Sequence, residues 1–390
     1  MKTHQVQQKT ERRISAALRL VFVAALLLGQ IALAFFLSTE LRQRAAIIYT
    51  VLELAAFGYA VRIYNRTDGA SYKFGWIFLV LTVPVVGLIL YFLWNGDRQQ
   101  KRLDLKKLPM PEEPEAQQAA HRIQMEKLRR KFPQWERLSV YLSRQGYLLY
   151  GDTETTYLPT GEAFLQDMLE KLEQAEHFIF LEFFIIAQGQ IWDRMEEIFR
   201  RKAAAGVEVK IIFDDFGSMM RFPAGQIEAL RESGVEVQVF NPVHHYVNRL
   251  YFNYRDHRKI VCIDGSTAYT GGANVADEYA NLTVRFGYWK DCGIRLDGPG
   301  AWGLTREFLH MWQRNGGQLM QERDYYRPHD HREAAGFCQP FVDGPDNNPI
   351  STAEDVFLHL INNARRSVHI TTPYLAIDEP MRQALCSAGD

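Results

Sequence analysis

A chain of 390 residues with 45 Lys and Arg against 46 Asp and Glu has a formal charge of −1, which excludes the basic field of a general nucleic-acid binder. Its four cysteines (Cys262, Cys292, Cys338, Cys386) are scattered with no C-x-x-C pair, which argues against a disulfide framework and against a zinc site. The mean hydropathy of −0.23 conceals an apolar N-terminal quarter ahead of ordinary soluble sequence, the composition of a membrane-anchored catalytic domain.

Residues 1–108 read as the anchor. Lys2, Lys9, Arg12, Arg13 and Arg19 precede or enter an apolar run at 14–37, which is long enough to span a bilayer. Ala32-Leu33-Ala34 offers a signal-peptidase pattern, but the run is too long for a signal core and continues past it. A second apolar stretch, 45–63, is interrupted by Glu53, which is costly at mid-span unless it faces another helix. The clearest expected span is 72–94, with Phe74, Trp76, Tyr91, Phe92 and Trp94 toward its ends. Pro84 and Gly87 are tolerated inside a transmembrane helix. Two or three spans result. Basic residues on both sides of them leave the topology open.

Residues 109–147 read as a linker, opened by Pro109-Met-Pro-Glu-Glu-Pro114. A helical stretch at 115–131 carries Lys127, Arg129, Arg130 and Lys131. This cluster either lies against anionic head groups or, more simply, is a solvated face.

Residues 148–325 read as an α/β catalytic half. Phe164, Leu165, Met168, Leu169 and Leu172 have helical spacing, and 178–186 is a buried strand with Glu182 at its middle. A carboxylate in an apolar strand is either a paired structural charge or a site residue that orients an imidazole. A helix at 192–205, a strand at 207–213, a helix at 225–233 and a strand at 235–239 follow, and this alternation argues a layered α/β fold. Asp214 and Asp215 close a strand, where a turn or cap is the simpler reading than a site. His244 and His245 are adjacent, point apart, and make no metal site.

Next comes Asn253-Tyr-Arg-Asp-His-Arg-Lys-Ile-Val-Cys-Ile-Asp-Gly265, which places His257, Lys259 and Asp264 in the pattern H-x-K-x4-D. Residues two apart on a strand share a face, so His257 and Lys259 project together. A neutral imidazole is a nucleophile or base near pH 7, and lysine supplies positive charge to a phosphoryl oxygen. Gly271 and Gly272 let backbone N–H groups approach an anion, and Asn274 adds an amide donor. Asp264-Gly265 is a turn, where the aspartate serves either structure or chemistry.

The motif with its Gly-Gly-x-Asn extension resembles the phospholipase D superfamily. Tyr-Lys-x-x-Trp…Pro-x-x-Gly in the membrane segment and Trp289-x-Asp291…Gly298-Pro299…Phe308…Trp312 resemble the cardiolipin synthase branch. Residues 354–375 then read as a second copy of 164–185, a helix followed by a strand at 368–375, at an offset of roughly 190 residues. By that offset a second H-x-K belongs near position 447, so 326–390 is expected to be the incomplete start of a second half, and the chain to be truncated.

The resemblance implies N-terminal transmembrane helices followed by a phospholipase D-like α/β sandwich half. It implies phosphatidyl transfer between two phosphatidylglycerols through a phosphohistidine, giving cardiolipin and glycerol. The alternatives are a hydrolytic phospholipase D and an inactive phospholipid-binding remnant. His257, Lys259 and Asp264 are the expected catalytic residues, with Asn274, Gly272 and Glu182 toward substrate. No metal or cofactor is expected. The expected partners are phosphatidylglycerol, other anionic phospholipids, the membrane and a second copy of the chain, with no nucleic acid. The expected location is the cell membrane, multi-pass, with the catalytic part cytoplasmic.

Overall fold

The computed structural model describes residues 42–66, 69–94, 115–242, 255–285, 287–318, 320–327, 334–344 and 351–389, together with positions 25, 28, 29 and 32. Apart from those four positions the expected first span lies outside these residues, as do the charges at 98–107 and the His244-His245 pair. The chain divides into two compact units, Met1–Asp104 with Val243–Phe252 and Leu105–Pro242 with Asn253–Asp390.

In the N-terminal unit the expected second span is α1 (Arg42–Tyr64). The expected third span is two helices, α2 (Ala70–Thr82) and α3 (Pro84–Trp94). The break falls at Val83, with φ −133° and ψ 69°. Proline disfavours the helical region for the residue before it, which is why the break sits there. The rings of Trp76 and Tyr91 are 5.5 Å apart. An unbroken helix would separate those positions by about 22 Å, so α2 and α3 fold back on one another. Gly87 permits the close turn, since a Cβ there would sit 2.5 Å from the Leu79 carbonyl oxygen. Lys73 Nζ donates to the carbonyls of Tyr64 (3.2 Å) and Arg66 (3.0 Å) after the end of α1. Among the described residues no helix is long and apolar enough to cross a membrane.

The second unit is built on a seven-stranded mixed sheet in the order β1-β7-β6-β5-β2-β3-β4. The strands are β1 (Glu154–Leu158), β2 (Phe178–Phe183), β3 (Glu208–Asp214), β4 (Glu236–Phe240), β5 (Lys259–Ile263), β6 (Thr267–Gly271) and β7 (Gly293–Asp297). β2 and β3 are parallel, whereas β5 runs antiparallel to β2. Alternation sorts the side chains. Ile179, Leu181, Phe183, Val261 and Ile263 enter one core with Phe164, Trp192 and Phe199 from α6 (Gly161–Leu172) and α7 (Gln190–Ala204). Phe180, on the opposite face, stacks on Phe308 at 4.7 Å. Phe308 belongs to α10 (Pro299–Arg314), whose residues from Gly300 to Gln313 are all buried.

That complete burial has a cause the sequence reading missed. The stretch read as a linker forms α4 (Glu115–Lys131) and α5 (Glu136–Arg144), which pack into this unit. Trp302 of α10 donates its indole N–H to Gln117 (3.0 Å). Ser139 donates to Gln339 (2.7 Å), and Tyr147 donates its hydroxyl proton to the Val342 carbonyl (2.8 Å). The basic cluster on α4 is largely spent on ion pairs: Arg129 with Glu126 and Glu136, and Arg130 with Glu126.

The expected second copy is realised only as helices, α12 (Thr352–Asn362) and α13 (Glu379–Gly389), with α11 (Glu322–Tyr325) before them. The strand expected at 368–375 does not form. Val368, Ile370, Tyr374 and Leu375 are exposed, because a strand needs a sheet neighbour and the seven-stranded sheet does not take it in.

Candidate active site

His257 and Lys259 meet at the start of β5. Lys259 Nζ lies 3.1 Å from His257 Nδ1 and donates to the His257 carbonyl oxygen at 2.5 Å. Phe184, one residue past β2, underlies both. Its ring is 4.7 Å from the imidazole and 5.6 Å from the ammonium. The imidazole edge is exposed, whereas Lys259 is 6 % exposed. Desolvation, then the Lys259 charge, lowers the His257 pKa to about 4, so the ring is neutral at pH 7. Burial lowers Lys259 to about 8, against the opposing fields of Asp256, Asp291 and Asp214. The site therefore pairs a neutral imidazole with an ammonium that is charged at pH 7, has shed part of its hydration and, among the described residues, meets no carboxylate at bonding distance.

The turn that presents His257 is held from β3. Asp214 Oδ1 accepts from the N–H groups of Phe216 (2.8 Å) and Gly217 (3.3 Å), capping the short helix α8 (Asp215–Ser218). Its Oδ2 accepts from the Asp256 N–H (2.9 Å), and Asp256 Oδ1 in turn accepts from the Arg258 N–H (3.1 Å). Arg255 approaches Asp214 Oδ1 at 3.3 Å. Burial raises the Asp214 pKa to about 6 against these donors. The capping reading of Asp214 holds, and the cap also fixes the backbone beside His257.

Glu182 does not orient the imidazole. In the β2–β5 register it stands opposite Ile260, whereas Lys259 stands opposite Phe183. Glu182 thus occupies the other sheet face, where it meets Arg258 Nη1 at 3.5 Å. Asp264 likewise lies away from the His257–Lys259 pair. It sits at the far end of β5 with φ 53° and accepts the N–H groups of His177 (2.7 Å), Phe178 (2.8 Å) and Glu176 (2.8 Å). Both carboxylates, expected at the site, make structural contacts here: Glu182 with Arg258 and Asp264 with three backbone N–H groups.

The Gly-Gly-x-Asn segment does more scaffolding than anion binding. The Gly272 N–H donates to the Cys292 carbonyl (3.1 Å), so it is committed to the chain. A Cβ on Gly272 would fall 2.3 Å from an Asp291 carboxylate oxygen, so this glycine leaves room for that carboxylate. Asn274 is buried. Its Oδ1 accepts from the Ile185 N–H (3.0 Å) and its Nδ2 donates to the Tyr279 hydroxyl (2.9 Å), fixing the segment that carries Phe184. Among the described residues its second Nδ2 hydrogen meets no acceptor.

Asp291 joins the site without having been singled out. Its carboxylate accepts from Trp289 Nε1 (3.1 Å) and from the Cys292 N–H (2.9 Å), and its field reaches Lys259. The Trp-x-Asp motif was the available signal, but a loop residue cannot be placed from spacing alone. Among the described residues no group of three or more His, Cys, Asp or Glu side chains is arranged to hold a metal ion.

Two family models match parts of the chain. The family described as "Cardiolipin synthase, PLD-like domain" matches residues 168–284, and "Phospholipase_D-nuclease N-terminal" matches residues 54–95. An uncharacterized protein of Streptococcus mutans is 35% identical over 320 residues, covering 81% of this chain and 68% of that one. Cardiolipin synthase 2 of Bacillus anthracis is 30% identical over 334 residues, covering 85% and 65%. The major cardiolipin synthase of Bacillus subtilis is 28% identical over 347 residues, covering 84% and 70%. The chain spans about two thirds of the length of these relatives.

Proposed function

The chain belongs to the phospholipase D-like cardiolipin synthase family, and from that premise we propose that it transfers a phosphatidyl group from one phosphatidylglycerol to another, giving cardiolipin and glycerol. The observation that carries the reading is the contact between a neutral His257 and a charged, buried Lys259 at a strand end. In the proposed step His257 Nε2 attacks phosphorus and the P–O bond to the head-group glycerol breaks. The departing oxygen takes a proton from a second group facing His257. The hydroxyl of a second phosphatidylglycerol then attacks, returns a proton to that group, and releases the histidine. Atoms and charge balance over the two steps, with the second group acting first as acid and then as base. An acid must begin protonated, so the low His257 pKa favours the nucleophile role over the acid role.

Lys259 now donates toward Nδ1, which puts the imidazole proton on Nε2. A phosphodiester oxygen competes for the ammonium. Its arrival releases Nδ1 to take the proton and bares Nε2 for attack. The remaining Asn274 amide hydrogen supports the same oxygens. We place the N-terminal unit in the cell membrane and the catalytic unit on its cytoplasmic side. The match at residues 54–95 and the apolar run at 14–37 support this placement.

The test is conversion of labelled phosphatidylglycerol by the purified chain in mixed micelles. Cardiolipin and free glycerol in equal amounts, lost in His257→Ala, are expected. Cardiolipin made by His257→Ala would refute the assignment, and phosphatidic acid as the sole product would mean that water is the acceptor.

A further inference from the structure

We infer that the rim of the His257 site is a membrane-docking surface, built from two loops whose side chains enter the head-group region of an anionic bilayer. The inference rests on the phosphatidyl-transfer reading and says how the site meets its substrate. The first loop is 216–222, with Phe216 and Met220 exposed. The second is 281–290, with Leu282, Val284 and Tyr288 exposed. Val284 is 85 % exposed, Tyr288 68 % and Met220 65 %, a large apolar display around a polar site.

Two sets of contacts bring these loops to one mouth. Gly217 packs so closely on Phe184 that a Cβ would lie 2.1 Å from the Phe184 carbonyl oxygen, and Phe184 underlies His257. The second loop runs into Asp291, whose field reaches Lys259. Glu278 ties the loops together through Arg221 (2.6 Å) and Arg285 (3.3 Å).

The charge pattern selects the partner. Neither 216–222 nor 281–290 contains an Asp or Glu, whereas Arg221, Arg285 and Lys290 lie within them. The nearby acids are engaged by protein groups: Glu278 by the two arginines, Asp214 by its cap, Asp291 by Trp289, and the half-buried Glu162 by Asn281 (2.7 Å) and the Tyr288 hydroxyl. Exposed apolar and aromatic side chains beside cationic groups, on segments that carry no carboxylate of their own, suit an interface of acyl chains and anionic head groups. A soluble partner would not require that pattern. A phosphodiester in a bilayer lies at head-group depth, so a mouth that reaches it brings these five side chains to the interface.

The test uses the full chain in nanodiscs containing phosphatidylglycerol, with Cys292→Ser and Cys386→Ser and a nitroxide on Val284→Cys. It is read with His257 intact and in His257→Ala, so the readout does not depend on turnover. More frequent collisions with oxygen than with a water-soluble nickel chelate are expected, and the reverse order would overturn the proposal. A second measurement compares Val284→Asp with Tyr288→Asp in one chain against the parent. Turnover on phosphatidylglycerol vesicles should fall about tenfold or more, with short-chain phosphatidylglycerol dissolved as monomers affected by less than about twofold. Equal losses on both substrates would mean a damaged site and no docking surface. Failure of the parent on both substrates would sink the transfer reading, while the nitroxide depth would still decide docking.

Discussion

Replacing Asp264 should destabilise the protein without disarming it. The carboxylate holds three backbone N–H groups, those of Glu176, His177 and Phe178, at 2.7–2.8 Å. Hydrogen bonds to a charged group are worth about 1.5–3 kcal/mol each, but water can replace the first two at their exposed positions. Discounting those leaves about 3 kcal/mol. Asp264 also has φ 53°, where alanine adds about 1 kcal/mol. Asp264→Ala should therefore cost about 4 kcal/mol, a lowering of the melting midpoint by roughly 10 °C. Asp264→Asn tolerates the left-handed backbone and keeps one acceptor oxygen, so it should cost about 1 kcal/mol. Turnover per folded molecule should be nearly unchanged in both. Seven residues of extended chain separate Asp264 from His257, about 23 Å. Melting in detergent followed by circular dichroism, with kcat measured well below the transition, checks both halves. A variant that melts like the parent yet loses kcat about a hundredfold would refute the structural assignment and return Asp264 to the chemistry.

Other consequences are as direct. The kcat/KM profile should have an acid limb near pH 4, where His257 becomes protonated, and an alkaline limb near pH 8, where Lys259 loses its charge. A bound phosphodiester favours the ammonium, so the alkaline limb of kcat should lie above that of kcat/KM, and a flat profile from pH 7 to 10 would exclude a charged Lys259 from the reaction. Arg258→Ala removes the guanidinium from the fully buried Glu182 and should destabilise by about 3–5 kcal/mol; Arg258→Met with Glu182→Leu should recover most of that in denaturant melts, and a double variant weaker than the single would show that the pair is not coupled. Gly272→Ala forces a methyl onto Asp291 and should lower kcat about tenfold or more at a stability cost of about 1–3 kcal/mol, an outcome that unchanged kinetics would contradict.

Which features were legible in the sequence depended on whether neighbours in the chain were also neighbours in space. The helix at 161–172 and the strand at 178–183 show in local apolar spacing, and both form. The pairing of His257 with Lys259 follows from the strand period alone, and their atoms meet. Asp264 was expected among the catalytic residues, although four intervening residues on an extended strand put about 17 Å between it and Lys259. The face of Glu182 was not legible, because it depends on the register of β2 against β5, a partner some 80 residues away. The packing of α4 onto α10 rests on Gln117, and that of α5 onto the segment around Gln339 on Ser139, polar residues whose burial no hydropathy pattern signals. The break at Val83 was hidden because proline and glycine are as compatible with a spanning helix as with a reversal. Only the meeting of Trp76 with Tyr91 separates the two.

The residue between the histidine and the lysine carries the remaining step. A strand cannot send His257 and Lys259 to one face without sending Arg258 to the other. Arg258 meets Glu182 there, and a Cβ on Gly344 would fall 2.7 Å from its Nη2. The same three residues therefore belong to the reacting site and to the buried charge network beneath α10. Rotating the strand to move His257 would drag a guanidinium out of that network, at a cost larger than any single hydrogen bond at the site. The imidazole is thus positioned from behind the sheet, and the Asp214–Asp256 relay sets the backbone leading into it. Substitutions near Arg258, although on the far face of the sheet, should reach the chemistry sooner than equally conservative ones at the exposed rim.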